Sequence, residues 1–191
     1  MISSNKREAL KSQKKSFYSV EELDYSAVLK TICFGVGPKT ITEIGIGTGY
    51  SLQCFIDSSP RETVIKAYDL FENFEGNHPL LNETKEKFPN ISVENGDFFE
   101  LYNLIEDNSL DILHVDVAND GKVYQFVLDY YIKKMTNRGV VVLEGGSETR
   151  DQIGWMKKYK KTPIAPVLER NRNVYGIETF GEDPSITLIK R

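Results

Sequence analysis

The sequence predicts an α/β fold: a doubly wound, mostly parallel sheet of seven strands, closed by a C-terminal antiparallel hairpin. Three observations carry that expectation. From Thr40 onward, short apolar runs alternate with stretches of helical spacing, the pattern of parallel strands covered by helices on both faces. The first run passes directly into three glycines spaced two apart, Gly45, Gly47 and Gly49. The last two runs, Val174–Phe180 and Ser185–Ile189, are separated only by Gly181-Glu182-Asp183-Pro184. That link is too short for a crossover, so the pair is antiparallel.

Taken in order, residues 4–16 are polar and suit an exposed helix. Val20 to Phe34 place Leu23, Ala27, Val28, Leu29, Ile32 and Cys33 at near-helical spacing, and Gly35-Val36-Gly37-Pro38 ends that helix. Five apolar runs then mark strands: Ile41–Ile46, Val64–Tyr68, Ile91–Glu94, Leu110–Val115 and Val140–Leu143. Helices are expected at 49–57, 79–88, 99–106, 121–136 and 148–160. The chain shows no repeat and no Pro/Gly/Ser linker. The expected organisation is a helical extension or cap over 1–39 and a single sheet domain over 40–191.

With 191 residues, the chain is the size of one domain. Its 10 Phe and 10 Tyr exclude a disordered chain, and no apolar run approaches a membrane span. The net charge of −4 is unevenly spread. Residues 1–16 hold five cations against Glu8, which leaves 19 cations and 27 anions on the rest. An acidic body argues against a nucleic-acid surface. The basic start reads as a solvated helix face, a frayed end or a contact for an anion. Two cysteines, Cys33 and Cys54, make neither a disulfide framework nor a metal cluster. With no secretory signal visible, a cytoplasmic protein is the expectation.

In open α/β sheets, ligands bind beyond the carboxyl ends of the strands. Such ends carry glycines or carboxylates throughout this chain. Glu43-Ile44-Gly45-Ile46-Gly47-Thr48-Gly49-Tyr50-Ser51 lets the backbone approach a ligand and opens a helix whose free N–H groups suit an anion. It is not the G-x-G-x-x-G of dinucleotide sites, because Tyr50 stands where the last glycine belongs. Asp69 ends the second strand, where a carboxylate can accept both ribose hydroxyls or simply cap a turn. Asp97 and Phe98 follow the third strand and suit an adenine edge and face, or a capped turn. Asp116 ends the fourth strand and Glu144 the fifth. Neighbouring parallel strands bring these two together, where they could share a divalent cation or act as a base.

These features, in this order, resemble the class I S-adenosylmethionine-dependent methyltransferases, whose Rossmann-like sheet also ends in a reversed hairpin. The resemblance covers residues 40–190. It implies that Glu43, Gly45, Gly47 and Gly49, with Tyr50 and Ser51, hold the methionine part of the cofactor. It places Asp69 and Leu70 at the ribose, Asp97 and Phe98 at the adenine, and Leu113–Asp120 at the methyl group and substrate. Within the class, the stretch from His114-Val115-Asp116 to Arg138-Gly139-Val140-Val141-Val142-Leu143-Glu144 is similar to small O-methyltransferases of the catechol and macrolide-sugar type. Those enzymes commonly bind a divalent ion such as magnesium. Here Asp116 and Glu144 match the first two metal positions, Gly145 stands at the third, and Asn119 stands near the position of the catalytic lysine.

Candidate catalytic groups are therefore Asp116, Glu144, His114 and Asn119. His114 is either a core histidine or a base, an imidazole being suited to proton transfer near neutral pH. His78 reads as a loop residue. Trp155 and Met156 read as the packed face of a helix, and Lys157, Lys158, Lys160 and Lys161 as a solvated helix end or an anion contact. The resemblance implies transfer of a methyl group from S-adenosylmethionine to a hydroxyl of a small molecule, with S-adenosylhomocysteine as product. Neither nucleic acid nor membrane is expected as a partner. Enzymes of this type often pair, so a homodimer is one expectation. A nucleotide-dependent oxidoreductase and a non-catalytic cofactor-binding module of the same fold are the alternatives.

Overall fold

The computed structural model describes residues 24–71 and 89–191. The expected helices at 4–16 and 79–88, the basic start and His78 lie outside them. The strands are β1 (Thr40–Ile44), β2 (Val64–Asp69), β3 (Ile91–Asn95), β4 (Leu110–Val115), β5 (Met135–Glu144), β6 (Gly176–Gly181) and β7 (Ser185–Lys190). They form one sheet in the order β3-β2-β1-β4-β5-β7-β6. The first five are parallel to one another; β7 runs antiparallel to β5 and β6. The order reverses between β1 and β4, and that switch point is where open sheets of this kind bind ligands.

The helices are α1 (Tyr25–Val36), α2 (Tyr50–Ser58), α3 (Phe98–Leu101), α4 (Gly121–Phe126), α5 (Glu148–Asp151), α6 (Gly154–Lys158) and α7 (Ala165–Asn171). Helical turns carry α4 on through Tyr131 and Lys134. Alternate residues of the central strands feed two cores, as a strand's period of two requires. Ile41, Ile112, Val140 and Val142 join Leu29 of α1 and Leu52 and Phe55 of α2 on one face. Ile44, Leu113, Val115, Val141 and Leu143 join Tyr124, Val127 and Tyr131 on the other. Leu29 and Phe55 are fully buried, each contributing roughly 1.5–3 kcal/mol of transfer free energy. Among the described residues, no helix is long and apolar enough to cross a membrane.

Three boundaries differ from the sequence expectation. The stretch expected as one helix over 148–160 is two short helices, broken where Ile153 turns extended. Helix α7 was not anticipated. Its signal is Pro166 in the first turn, where a missing N–H costs nothing. Strand β5 starts at Met135, not Val140, and its first residues are joined to β4 through an irregularity between Leu110 and Ile112.

Candidate active site

Two glycines bring the walls of the site together. A Cβ on Gly45 would lie 2.2 Å from the backbone oxygen of Asp116, so only glycine lets the end of β1 touch the end of β4. A Cβ on Gly121 would lie 2.3 Å from the Pro163 oxygen, and the Gly121 N–H donates to the Thr162 oxygen at 2.8 Å. That contact lays the 159–162 segment over the start of α4. Between these walls opens a cavity of about 690 Å³, within the roughly 300–1,000 Å³ usual for small-molecule and cofactor sites. Gly45, Gly47, Asp69, Leu70, Asp97, Phe98 and Asp116 all line it, as do Phe99, Lys122, Lys160 and Lys161. The ends of β1, β2, β3 and β4 thus converge on one space; Glu144 at the end of β5 does not line it.

Asp69 organises the floor. Its Oδ2 accepts the N–H groups of Ile46 (2.8 Å) and Gly47 (3.1 Å), and its Oδ1 accepts that of Phe71 (3.0 Å). A carboxylate has about four acceptor positions, so three are committed to holding the glycine turn and one on Oδ1 remains for a ligand hydroxyl. Asp69 thus fixes the turn and lines the cavity. Asp97 caps α3 through Oδ1, which accepts from Phe99 N–H at 2.8 Å. Phe98 is buried in a ring cluster, stacked on Tyr131 at 5.2 Å. Phe99 is half exposed beside it and was not singled out from the sequence.

Three expected site residues turn away. Glu43 and His114 are fully buried and do not line the cavity. Their side chains leave β1 and β4 on the α1/α2 face. There His114 Nδ1 donates to Glu43 Oε1 at 3.1 Å, and Tyr25 O–H donates to His114 Nε2 at 2.6 Å. The Ser51 hydroxyl also donates to Glu43 Oε1. His114 is the core histidine, not a base at the cavity; Glu43 and Ser51 brace the turn from below and do not touch a ligand in the cavity. The expectation that they hold the cofactor directly is corrected: a side chain inside a strand points to a face, and this face is sealed by helices. Gly49 serves as the N-cap of α2 at φ 81°, and Tyr50 packs against the same sealed core.

Asn119 is corrected as well. Its amide donates to the Val115 and Glu144 backbone oxygens, both at 3.0 Å, and is 1% exposed. It clamps the ends of β4 and β5 and is not placed to act as a base. Of the catalytic candidates, Asp116 alone lines the cavity. Glu144 is the last residue of β5, its backbone oxygen also accepting from Tyr124 O–H at 3.1 Å. The residues do not fit a divalent cation. Among the described residues no group of three or more His, Cys, Asp or Glu could hold one. The third position is Gly145, and packed against it is the stem of Arg150, a cation.

No protein-family model matches the chain, and no curated protein matches it in sequence. Its fold has many counterparts among solved structures. It is similar to a Podospora anserina methyltransferase bound to S-adenosylhomocysteine, with 14% identity and a TM-score of 0.68 over 99% of this chain and 88% of that one. It is also similar to a Bacillus cereus O-methyltransferase in complex with S-adenosylhomocysteine (12% identity, TM-score 0.62, 100% and 93% covered). A third is a Streptomyces achromogenes O-methyltransferase of tomaymycin synthesis in complex with S-adenosylmethionine (12%, 0.64, 98% and 90%). The expected Rossmann-like methyltransferase fold, with its C-terminal antiparallel strands, is the fold this chain adopts.

Proposed function

We propose that the protein transfers a methyl group from S-adenosylmethionine to a hydroxyl of a small molecule. One observation carries the reading: Gly45, Gly47, Asp69, Asp97 and Phe98 line one cavity at the sheet's switch point. That cavity lies in a fold shared with proteins solved with this cofactor or its product. The residues present fit it. The open position on Asp69 suits a ribose hydroxyl, the half-exposed Phe99 ring suits a purine face, and the close backbone at Gly45 and Gly47 admits the amino-acid part.

When bound, this cofactor supplies a methyl group on a positively charged sulfur, already poised for transfer to a nucleophile. The chain's task is to place an acceptor oxygen in line and to receive its proton. Asp116 is the cavity-lining carboxylate at the end of the central strand β4, its N–H donating to the Ile44 oxygen at 2.9 Å. We assign it the proton. Residues 1–39 are proposed as a cap over the sheet domain, in a cytoplasmic enzyme that acts on small molecules and is free to pair with a second copy.

Titration calorimetry with S-adenosylhomocysteine tests the cofactor, and saturable binding is expected. Absence of heat at millimolar ligand sinks the reading. Screening hydroxylated acceptors for a gain of one methyl tests the reaction. In such an assay Asp116→Asn should slow turnover by roughly a hundredfold or more.

A further inference from the structure

The Asp97–Phe99 end of the cavity rests on a helix too short to hold itself. Helix α3 is four residues long, far below the length at which a helix is stable alone. Its first two residues, Phe98 and Phe99, line the cavity together with Asp97. Asp97 fixes one side of this turn as its N-cap, accepting the Phe99 N–H. The other side is held by Tyr131, which does not itself line the cavity.

Tyr131 is fully buried, and its O–H donates to the Phe98 oxygen at 2.6 Å. In an α-helix that oxygen would accept the N–H four residues on, which belongs to Tyr102. The Tyr102 N–H instead reaches the Tyr131 hydroxyl. A side-chain hydroxyl thus stands where the helix would close its own hydrogen bond. Ring contacts carry the support onward. Tyr131 stacks on Phe98 at 5.2 Å, Phe98 meets Phe99 edge-on at 4.9 Å, and Phe126 meets Phe99 edge-on at 5.0 Å.

The backbone after α4 is shaped to deliver this side chain. The Ile132 N–H donates to the Val127 oxygen, five residues back. That bond closes a π turn, a rare widening of the helix that is frequent at functional sites. In a regular helix Tyr131 would lie about 140° around the axis from Phe126. The wider turn brings it back towards the Phe126 side, with 6.1 Å between the ring centres.

We propose that Tyr131 is a positioning residue for a purine: inserted into the α3 turn, it fixes the angle at which the Phe99 ring meets the base. An aromatic contact depends on that angle as well as on area. The proposal rests on the cofactor reading, in which the base is the adenine of S-adenosylmethionine.

A double-mutant cycle tests it, read by calorimetry with S-adenosylhomocysteine on the full-length protein. Tyr131→Phe keeps the ring stack and removes only the hydroxyl, and the released Phe98 oxygen and Tyr102 N–H can then bond each other. This variant should fold, and its affinity should fall about threefold to tenfold. Phe99→Leu, at a half-exposed position, should lower affinity about tenfold. Adding Tyr131→Phe to Phe99→Leu should cost little more, because Tyr131 acts through that ring. A role in stability alone would lower the urea midpoint of Tyr131→Phe and leave its affinity unchanged, and that result overturns the proposal. Losses that simply add overturn it too. If the parent protein does not bind S-adenosylhomocysteine, the cofactor reading fails and the proposal falls with it. Parent binding with an unchanged Tyr131→Phe affinity removes the proposal alone.

Discussion

Glu43 and Asp69 sit at the ends of adjacent parallel strands, and both are acidic, yet they occupy opposite kinds of environment. Glu43 lies one residue inside the end of β1, so its side chain leaves on a face of the sheet and is sealed under α1 and α2 with His114, Tyr25 and Ser51. Asp69 is the last residue of β2, so its side chain reaches over the strand end into the open crevice and ties down the glycine turn from above. The turn is held from both sides, by a dry network below and a wet carboxylate above. Only the upper one is placed to meet a ligand. A shift of one residue relative to the strand end separates a carboxylate sealed in the core from one that lines the cavity.

The sharpest way to break this contrast is to delete each carboxylate. Glu43→Ala leaves His114 and Ser51 without their shared acceptor in a fully buried site. Removing one partner of such a buried polar set costs roughly 3–5 kcal/mol, read as a fall in the urea midpoint. The milder Glu43→Gln should fold and bind S-adenosylhomocysteine nearly as well as the parent. Asp69→Ala should do the reverse. Its partners are backbone amides near solvent, so stability should fall by only about 1 kcal/mol. Affinity for S-adenosylhomocysteine should fall roughly tenfold or more, by calorimetry. Equal effects of the two substitutions on affinity would erase the distinction.

The contrast also marks what the sequence could reveal. The sheet was legible because β-period and helix-period apolar runs alternate over most of the chain, and the short link before Ser185 left the hairpin no other geometry. The cavity rim was legible too, since Gly45, Gly47, Asp69, Asp97 and Asp116 all fall at or beyond strand ends. Glu43 was misplaced, and His114 left open between a core residue and a base, for one reason. Spacing from a motif does not say whether a side chain leaves along a strand's face or beyond its tip; the register and the covering helix decide that. Phe99 was missed because its place at the rim depends on tertiary neighbours such as the Phe126 ring, which lies far away in sequence.

A smaller effect tests whether the lower support depends on α1. Asp24 caps this helix, its side chain accepting the N–H groups of Ser26 and Ala27; the Ser26 hydroxyl, donating to it at 2.8 Å, and then those N–H groups hold its carboxyl below the usual aspartate range. Asp24→Ala should cost about 1 kcal/mol. Because the carboxyl is depressed in the folded state, that contribution is present above the ordinary aspartate pKa and is lost as the pH falls through the folded one. Loss of the Tyr25 contact should appear as a faster exchange of the amides of α1, with affinity for S-adenosylhomocysteine unchanged.

The smallest effect reads the charge of Glu43 itself. Cys54, on the same sealed face, has its thiol pushed up from the ordinary 9.0 to about 11, chiefly by burial, with Glu43 adding to the rise. A raised acid pKa means that the folded state keeps its proton while the unfolded chain loses it. The stability this provides is therefore complete below pH 9 and is lost as the pH climbs from 9 towards 11. Cys54→Ala should flatten that part of the urea-midpoint profile. Glu43→Gln should move the thiol's ionisation slightly downward, seen as faster alkylation of Cys54 at alkaline pH in protein that remains folded. The same measurement on Asp69→Asn should show no change, because Asp69 is not among the groups acting on this thiol. An equal response to both would mean that the field around Cys54 reports net charge and not the buried network.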